Sequence, residues 1–259
     1  MRLMMREVLV AGAAAAVAAG SVGWAYTSAL DAPRGLECPP DAVLENEPCG
    51  DDTNGGCGSN PTQFEPIALG TVVCGTVWLE ESARDTDWYE IVLAPEDVPV
   101  DLKFSLIAEF ECQFGLIAYA EGHEGSGDCY YMNGLDPWAL VQAYEDGSVE
   151  FTIDVPGIYW LFVAPDLGDG SNIIECGEGE DEDNDYICLL EEVFPLGDIT
   201  GPDDVPDGIV NVLDLLALLG DWGCEGAPGE CVGDITGPDG EPDGITNTQD
   251  LLALLGNWG

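Results

Sequence analysis

Basic side chains are nearly absent from this chain of 259 residues. It contains 5 Lys or Arg residues against 51 Asp or Glu residues, which gives a formal net charge of −46 at pH 7. Nucleic acids and anionic membranes are bound through Lys and Arg, so this balance argues against both as partners. The excess of carboxylates favours divalent cations as ligands instead.

Histidine is also scarce, because His123 is the only one in the sequence. Zinc sites built from several histidines are therefore excluded, and any Ser or Cys triad would have to use His123. Nearby Ser126 lacks the first glycine of the Gly-x-Ser-x-Gly nucleophile motif, because Glu124 stands in its place. We therefore expect a surface-loop histidine rather than a catalytic one.

The first 29 residues have the pattern of a secretory signal. Residues 1–6 include two arginines, Arg2 and Arg6, residues 8–25 are an apolar run rich in Ala and Val, and small residues follow up to Ala29. The run is near the lower limit for a membrane span, so an uncleaved N-terminal anchor is the alternative. Export to an oxidising space predicts that the ten cysteines form up to five disulfides. Cys74, Cys112, Cys129 and the closely spaced pair Cys224 and Cys231 are expected among them.

A central region of short apolar runs predicts an antiparallel β-sandwich. Residues 100–110 alternate between apolar and mostly polar side chains, which is typical of a strand with one buried face. Similar runs occupy residues 71–79, 88–93, 114–120, 138–144, 149–153 and 158–164. No helical pattern lies between these seven segments, which favours two packed sheets over an α/β fold. A lead-in rich in Cys, Pro and Gly precedes them over residues 30–66.

Three segments of this region resemble the pre-peptidase C-terminal domain. They are Asn-Glu-Pro at 46–48, Ala-Arg-Asp-Thr-Asp-Trp-Tyr-Glu-Ile at 83–91 and Val-Pro-Gly-Ile-Tyr-Trp-Leu-Phe-Val at 155–163. The resemblance implies a jelly-roll-like sandwich over residues 67–195. Such domains are non-catalytic accessories of secreted proteins, and the family implies binding of a polymer or of calcium.

Other candidate sites in the central region are weaker. A hydrolase would need a carboxylate pair such as Asp85 and Asp87, but we interpret these as a tight turn before the next strand. We expect the aromatic side chains of Tyr130, Tyr131 and Trp138 to pack in the sandwich rather than to form a platform on which sugars stack.

An acidic segment at 181–185 has the alternating acids that open an EF-hand loop, with Glu192 at the twelfth position. Tyr186, however, occupies the position where that loop requires glycine. We therefore expect a solvated acidic loop rather than a third calcium site.

The C-terminal region is an internal duplication with a shift of 36 residues. Residues 197–223 recur as residues 233–259, with 21 of 27 aligned positions identical and differences at 204, 205, 210, 212, 213 and 221. Each copy ends its loop in Asp-Gly-x-x-Asn-x-x-Asp, the spacing of the back half of an EF-hand calcium loop. A Leu-rich run follows at once and predicts a short helix that ends at a glycine.

A calcium-type loop plus one helix, duplicated over residues 196–259, is similar to the type I dockerin. The resemblance implies a small all-α domain with two Ca²⁺ ions and a cohesin-like protein as partner. The implied ligands are Asp198, Asp207, the Ile209 carbonyl, Asn211 and Asp214 in the first copy, and Asp234, Asp243, the Ile245 carbonyl, Asn247 and Asp250 in the second. The front of each loop departs from the family pattern, so Thr200 and Asp203, with Thr236 and Asp239, compete for the remaining ligand position.

The charge of these loops favours a calcium site over an ordinary polar turn. Residues 197–259 contain 13 acids, and no Lys or Arg follows Lys103 anywhere in the chain. Carboxylates clustered in this way repel one another unless a cation binds between them, which favours calcium.

In dockerins the residues at the start of each helix recognise the partner protein. Here they are Val212 and Leu213 in one copy but Thr248 and Gln249 in the other, which predicts that the first helix is preferred. The alternative is that Val212 and Leu213 pack between the two helices.

The sequence as a whole predicts a mainly β, secreted and non-enzymatic protein. Its fold would be an antiparallel, jelly-roll-like sandwich followed by a small all-α, calcium-binding, dockerin-like domain. The predicted function is calcium-dependent protein–protein anchoring. A polysaccharide-binding module, or the accessory subunit of a secreted hydrolase attached through a dockerin, is the alternative.

Overall fold

The computed structural model describes residues 35–45, 47–48, 50–51, 53–80, 83–168, 173–176, 184–201, 205–228, 230–237 and 240–259. The predicted signal segment lies outside the described residues, and so do the two candidate front ligands Asp203 and Asp239. Among the residues that are described, no helix is long and apolar enough to cross a membrane.

The described chain is mainly β, with two short helices at its C-terminal end. The strands are β1 Val43–Leu44, β2 Glu65–Pro66, β3 Val72–Thr76, β4 Leu79–Glu80, β5 Ala83–Arg84, β6 Asp87–Leu93, β7 Val100–Ala108, β8 Cys112–Tyr119, β9 Met132–Val141, β10 Asp146–Ile153, β11 Gly157–Pro165 and β12 Asp185–Glu192. A 3₁₀ turn covers Cys129–Tyr131, and the helices are α1 Val212–Gly220 and α2 Thr248–Gly256.

Two five-stranded sheets and one two-stranded sheet are formed by these strands. The first sheet has the order β1-β3-β12-β7-β10, the second has the order β2-β6-β11-β8-β9, and β4 pairs with β5. The short edge strands β1 and β2 pair in parallel with β3 and β6, and the other pairings are antiparallel. The predicted antiparallel sheets are thus confirmed, with two short parallel additions.

The main core lies between the inner faces of the two large sheets. Along β7, the alternate residues Leu102, Phe104 and Leu106 are buried as the sequence pattern predicts. The strand β12 was missed, because the acids that precede it made residues 181–186 resemble a calcium loop. Tyr186 is instead fully buried between the sheets, so the segment continues as a strand and no EF-hand helix follows.

The lead-in packs on the outer face of the second sheet and makes a smaller core there. The Phe64 ring stacks on the Trp160 ring with centroids 4.6 Å apart, and Trp88 completes the cluster. A disulfide joins Cys57 of the lead-in to Cys129 across this face. Residues 53–66 are therefore part of the packed structure.

Disulfides join Cys38 to Cys74, Cys57 to Cys129, and Cys224 to Cys231, as expected for an oxidising compartment. Cys176 is also disulfide-bonded. The expectation that Cys112 forms a disulfide was wrong, because it is a buried free thiol, as is Cys188. These two side chains belong to the main core, where each serves as a small apolar residue.

The two C-terminal copies pack against each other through equivalent contacts in both directions. The Gly223 N–H at the end of the first copy donates to the Thr246 carbonyl at 2.9 Å. The Gly259 N–H at the end of the second copy donates to the Val210 carbonyl at 3.0 Å, and these are the same two positions shifted by 36. Val210, Leu218, Ile235 and Leu254 fill a small core between the copies.

Candidate metal centres

Asp214 connects the front of the first C-terminal loop to the start of α1. Its Oδ1 accepts the N–H groups of Ile199 and Thr200 at 2.8 and 2.9 Å, and its Oδ2 accepts the Asn211 N–H at 2.8 Å. Asn211 is the N-cap of the helix, so Asp214 completes a capping box. The carboxyl group is fully buried, and its oxygens are satisfied by three backbone N–H groups.

Asp198 organises the turn within the same loop. Its carboxylate accepts the Asp207 N–H at 3.2 Å and the Gly208 N–H at 2.6 Å. Gly208 has a φ of 82°, which permits the sharp turn that the Asp-Gly pattern predicts. Nδ2 of Asn211 donates to the Ile209 carbonyl at 2.9 Å, so these two predicted ligands lie side by side.

The second loop repeats each of these contacts. Asp250 accepts the N–H groups of Ile235, Thr236 and Asn247, Asp234 accepts those of Asp243 and Gly244, and Nδ2 of Asn247 donates to the Ile245 carbonyl. The structure therefore brings together the predicted ligands that it describes in each copy. Thr200 and Thr236 lie at the front of their loops and donate through the backbone N–H to Asp214 and Asp250.

The donor set of the first loop fits a hard cation. Burial raises the pKa of Asp198, and the nearby charges of Asp214 and Asp207 raise it further. Carboxylates, a carbonyl and an amide are the oxygen donors that calcium prefers. In the described part of the chain, however, the three carboxylates do not approach one another as closely as those of a second cluster, which lies in the sandwich.

That second cluster consists of Glu47, Asp85 and Asp87, and we call it the buried acid cluster. One oxygen from each carboxylate lies within 4.8 Å of the others, and all three side chains are buried. Asp87 is 0% exposed, and neither of its carboxylate oxygens makes a hydrogen bond within the described residues. The same is true of Oε1 of Glu47 and of both amide atoms of neighbouring Asn54.

Such a cluster is unfavourable without a counter-charge. Burial raises the pKa of Asp87 well above its ordinary value, and the charges of Glu45 and Asp85 add to the effect. A proton on Asp87 would remove one charge but would leave Oε1 of Glu47 without a hydrogen bond within the described residues. The spacing and the oxygen donors fit a calcium ion, whose ligands lie about 2.3–2.6 Å from the metal.

Strand alternation explains why Asp87 points inward. Tyr89, Ile91 and Leu93 of β6 face the main core, and Asp87 is in phase with them because successive side chains alternate. Asp85 lies in the short connection before β6, as the predicted turn implies, whereas Asp87 is the first residue of the strand, and both are buried. The period of the strand was the signal that could have found this site, since it predicts that an acid at 87 is buried.

Glu47 reaches the cluster from the lead-in. Its Oε2 accepts hydrogen bonds from the N–H and the hydroxyl of Thr53 at 2.8 and 2.9 Å and from the Asn54 N–H at 2.6 Å. Its Oε1 is buried and makes no hydrogen bond within the described residues. A cavity of about 300 Å³ lies beside it, lined by Glu45, Glu47 and Tyr186 among others. The site thus combines a strand end with a folded loop.

No family model matches the chain, and no curated protein matches it. Among solved structures, the chain is similar to the pre-peptidase C-terminal domain of a collagenase from Bacillus anthracis, with 17% identity, a TM-score of 0.32, and coverage of 52% of this chain and 100% of that one. It is also similar to PliG of Aeromonas hydrophila, a periplasmic inhibitor of g-type lysozyme, with 11% identity, a TM-score of 0.30, and coverage of 50% and 96%. A Tobacco streak virus coat protein follows with 11% identity and a TM-score of 0.21.

Proposed function

We propose that this is a secreted, calcium-dependent binding protein whose C-terminal module anchors it to another protein in the manner of a dockerin. The observation that carries the proposal is the duplicated loop and helix. Each helix has exposed leucines and follows an acidic loop, and no Lys or Arg lies in this part of the sequence to balance the charge. The sandwich serves as an accessory domain, and no catalytic role is assigned to it.

The exposed faces of the two helices support a docking role. Leu216 is 60% exposed and its equivalent Leu252 is 65% exposed, and each is followed one turn later by an exposed leucine, Leu219 or Leu255. A helix of a stable monomer normally turns such a stripe inward. Val212 is 55% exposed, so the alternative that it packs between the helices is wrong.

Calcium acts in the module by holding each loop against its helix. Asp198, Asp207, Asn211 and Asp214, with the Ile209 carbonyl, would hold one ion, and their counterparts in the second copy the other. The ion supplies the positive charge that the local sequence lacks. A third ion in the sandwich would be held by Glu47, Asn54, Asp85 and Asp87, with its charge balancing the buried acids.

Counting ions in the full chain tests the calcium part of the proposal. Equilibrium dialysis against Ca²⁺ followed by elemental analysis should give three ions per chain for the native protein. Asp87→Asn should remove one ion and Asp214→Ala another. A full chain that binds no Ca²⁺ at micromolar to millimolar concentration would refute the calcium sites.

Binding to a panel of purified cohesin domains tests the anchoring part. We expect binding that EDTA abolishes and that Leu216→Asp combined with Leu252→Asp also abolishes. Val92→Asp is the matched control, because Val92 is an exposed apolar residue on the sandwich. If calcium is bound but no cohesin in the panel binds, or if EDTA has no effect, the dockerin-like role is wrong.

The residue pairs at the two helix starts allow a finer version of this experiment. Exchanging Val212 and Leu213 with Thr248 and Gln249 leaves the ligands in place and swaps the apolar and polar starts. Affinity for the same cohesin should follow the apolar pair, since its burial contributes about 1.5–3 kcal/mol per side chain.

A further inference from the structure

The buried acid cluster is assembled from two parts of the chain that are held in different ways. Asp85 and Asp87 belong to the sheet half, where Asp87 pairs with Val163 of β11 and the Asp85 N–H donates to the Trp78 carbonyl. Glu47 and Asn54 belong to the lead-in half. Bringing the halves together places like charges side by side in a buried site, so electrostatic repulsion opposes their contact.

The lead-in is paired with the sheets on both sides of this half, through β1 before it and β2 after it, and two hydrogen bonds join the described residues from Glu47 to Asn54 to the sheet half. The Trp88 N–H donates to the Asn54 carbonyl at 3.2 Å, and the Trp78 indole N–H donates to the Asp51 carbonyl at 2.8 Å. The next backbone bridge, from Gly56, goes to Gln63 of the lead-in itself. The loop between β1 and β2 that carries Glu47 and Asn54 is therefore the part that moves if the site opens.

The disulfide between Cys57 and Cys129 holds the lead-in half at this point. Cys57 follows Asn54 by three residues, and the covalent ring of residues 57–129 contains both aspartates of the sheet half. Without this bond, the segment around Cys57 would be held on the sheet by the packing of the smaller core, without a covalent link to Cys129. A crosslink of this kind restricts the open state and so favours the closed one.

We infer that the Cys57–Cys129 disulfide is a clamp on the cation site of the sandwich, and that the disulfide and the bound ion stabilise each other. Both oppose the same movement of the lead-in half away from the sheet half. The inference rests on the ion that the proposed function places in the buried acid cluster. By thermodynamic linkage, the factor by which the disulfide raises ion affinity equals the factor by which the ion favours the disulfide.

The clamp is tested first in the unmodified full chain, which avoids any folding defect of a variant. Dithiothreitol donates two electrons and two protons to the cystine, one S–S bond breaks to give two thiols, and the reagent becomes a cyclic disulfide. Alkylation and mass spectrometry then give the reduced fraction of Cys57 in saturating Ca²⁺ and in EDTA. We expect Ca²⁺ to shift this equilibrium towards the disulfide by about tenfold or more.

Asp87→Asn is the matched variant for this measurement. It should abolish the Ca²⁺ effect on Cys57–Cys129 and leave any effect on Cys224–Cys231, at the other end of the chain, unchanged. Conversely, Cys57→Ser combined with Cys129→Ser should weaken the ion that depends on Asp87 by the same factor. Cys224→Ser combined with Cys231→Ser should leave the affinity of that ion unchanged.

Failures of the clamp and of the ion site have different signatures. If Asp87→Asn removes one bound ion but Ca²⁺ does not alter the reduction equilibrium of Cys57–Cys129 in the unmodified chain, the clamp is overturned alone. If Asp87→Asn removes no ion, the sandwich ion of the proposed function is overturned and the clamp with it.

Discussion

Oδ2 of Asp221, at the end of the first helix, accepts a hydrogen bond from Oγ1 of Thr246 in the opposite loop at 2.9 Å. It also accepts the Gly233 N–H at 2.9 Å. The equivalent positions in the other direction are Asn257 and Val210, which form no such pair in the described residues. Two of the six differences between the copies, at positions 210 and 221, therefore concern the same contact. Asp221 and Thr246 form a hydrogen bond, whereas the equivalent residues Asn257 and Val210 do not.

This coupling predicts non-additive mutations. Asp221→Ala should destabilise the module by about 1–2 kcal/mol, because the buried Thr246 hydroxyl would lose its acceptor. Thr246→Val removes that buried hydroxyl, so the double variant should be more stable than the sum of the single changes, by about 1 kcal/mol. Thermal unfolding of the four proteins measures the interaction. Strict additivity would show that the two positions are not energetically coupled.

Asp214→Ala should destabilise the module even when calcium is absent. The change leaves the N–H groups of Ile199, Thr200 and Asn211 without their acceptor, with an expected loss of about 2–4 kcal/mol in EDTA. The difference in stability between the native chain and the variant should be larger in calcium, because the variant also lacks one of the side chains proposed to bind the ion. Hydrogen exchange of α1 amides in the full chain measures both quantities. Glu241→Ala, an exposed charge removal in the other copy, is the control, and an equal effect from it would contradict the assignment.

Gly56→Ala should destabilise the sandwich more than Gly70→Ala. Both glycines have positive φ, 54° and 73°, so both substitutions lose about 1–2 kcal/mol from backbone strain. A Cβ at Gly56 would in addition overlap the Trp88 indole, whereas one at Gly70 meets nothing within 4 Å. Melting temperatures should separate the two variants by several degrees. Equal melting temperatures would show that the lead-in does not hold its close position on Trp88.

Stability should also depend on the ionisation of Asp185. Burial and the neighbouring Glu109 raise its pKa to about 6. A raised carboxyl pKa means that the folded state is favoured when the group is protonated, and this stabilisation is lost as the pH rises through about 6. Asp185→Asn should therefore raise the melting temperature at pH 7 and have little effect near pH 4. Asp154→Asn, an exposed change, should show no such difference between the two pH values.

The sequence predicted most of the sandwich, because strands with one buried face alternate visibly. All seven predicted segments contain strands, and the duplicated helices begin at the residues that follow Asn211 and Asn247. The missed strand β12 shows the limit of the pattern. Its apolar run is short and follows a run of acids, and only its place between β3 and β7 reveals that it is central.

The two loops of proposed calcium ligands were visible in the sequence because the oxygen donors of each lie within a single short segment and the segment occurs twice. The buried acid cluster was not, because Glu47 and Asp87 are 40 residues apart and meet only when the lead-in folds over the sheet.

The sequence by itself determined the charge, the strand periods, the duplication and the donor types, since each is a local property of the chain. Tertiary structure alone decided which cysteines pair, that Cys112 does not, and that the carboxylates of Glu47 and Asp87 share a buried site. These depend on contacts between distant segments, and the free energy of such contacts comes from burial and packing that no local pattern encodes.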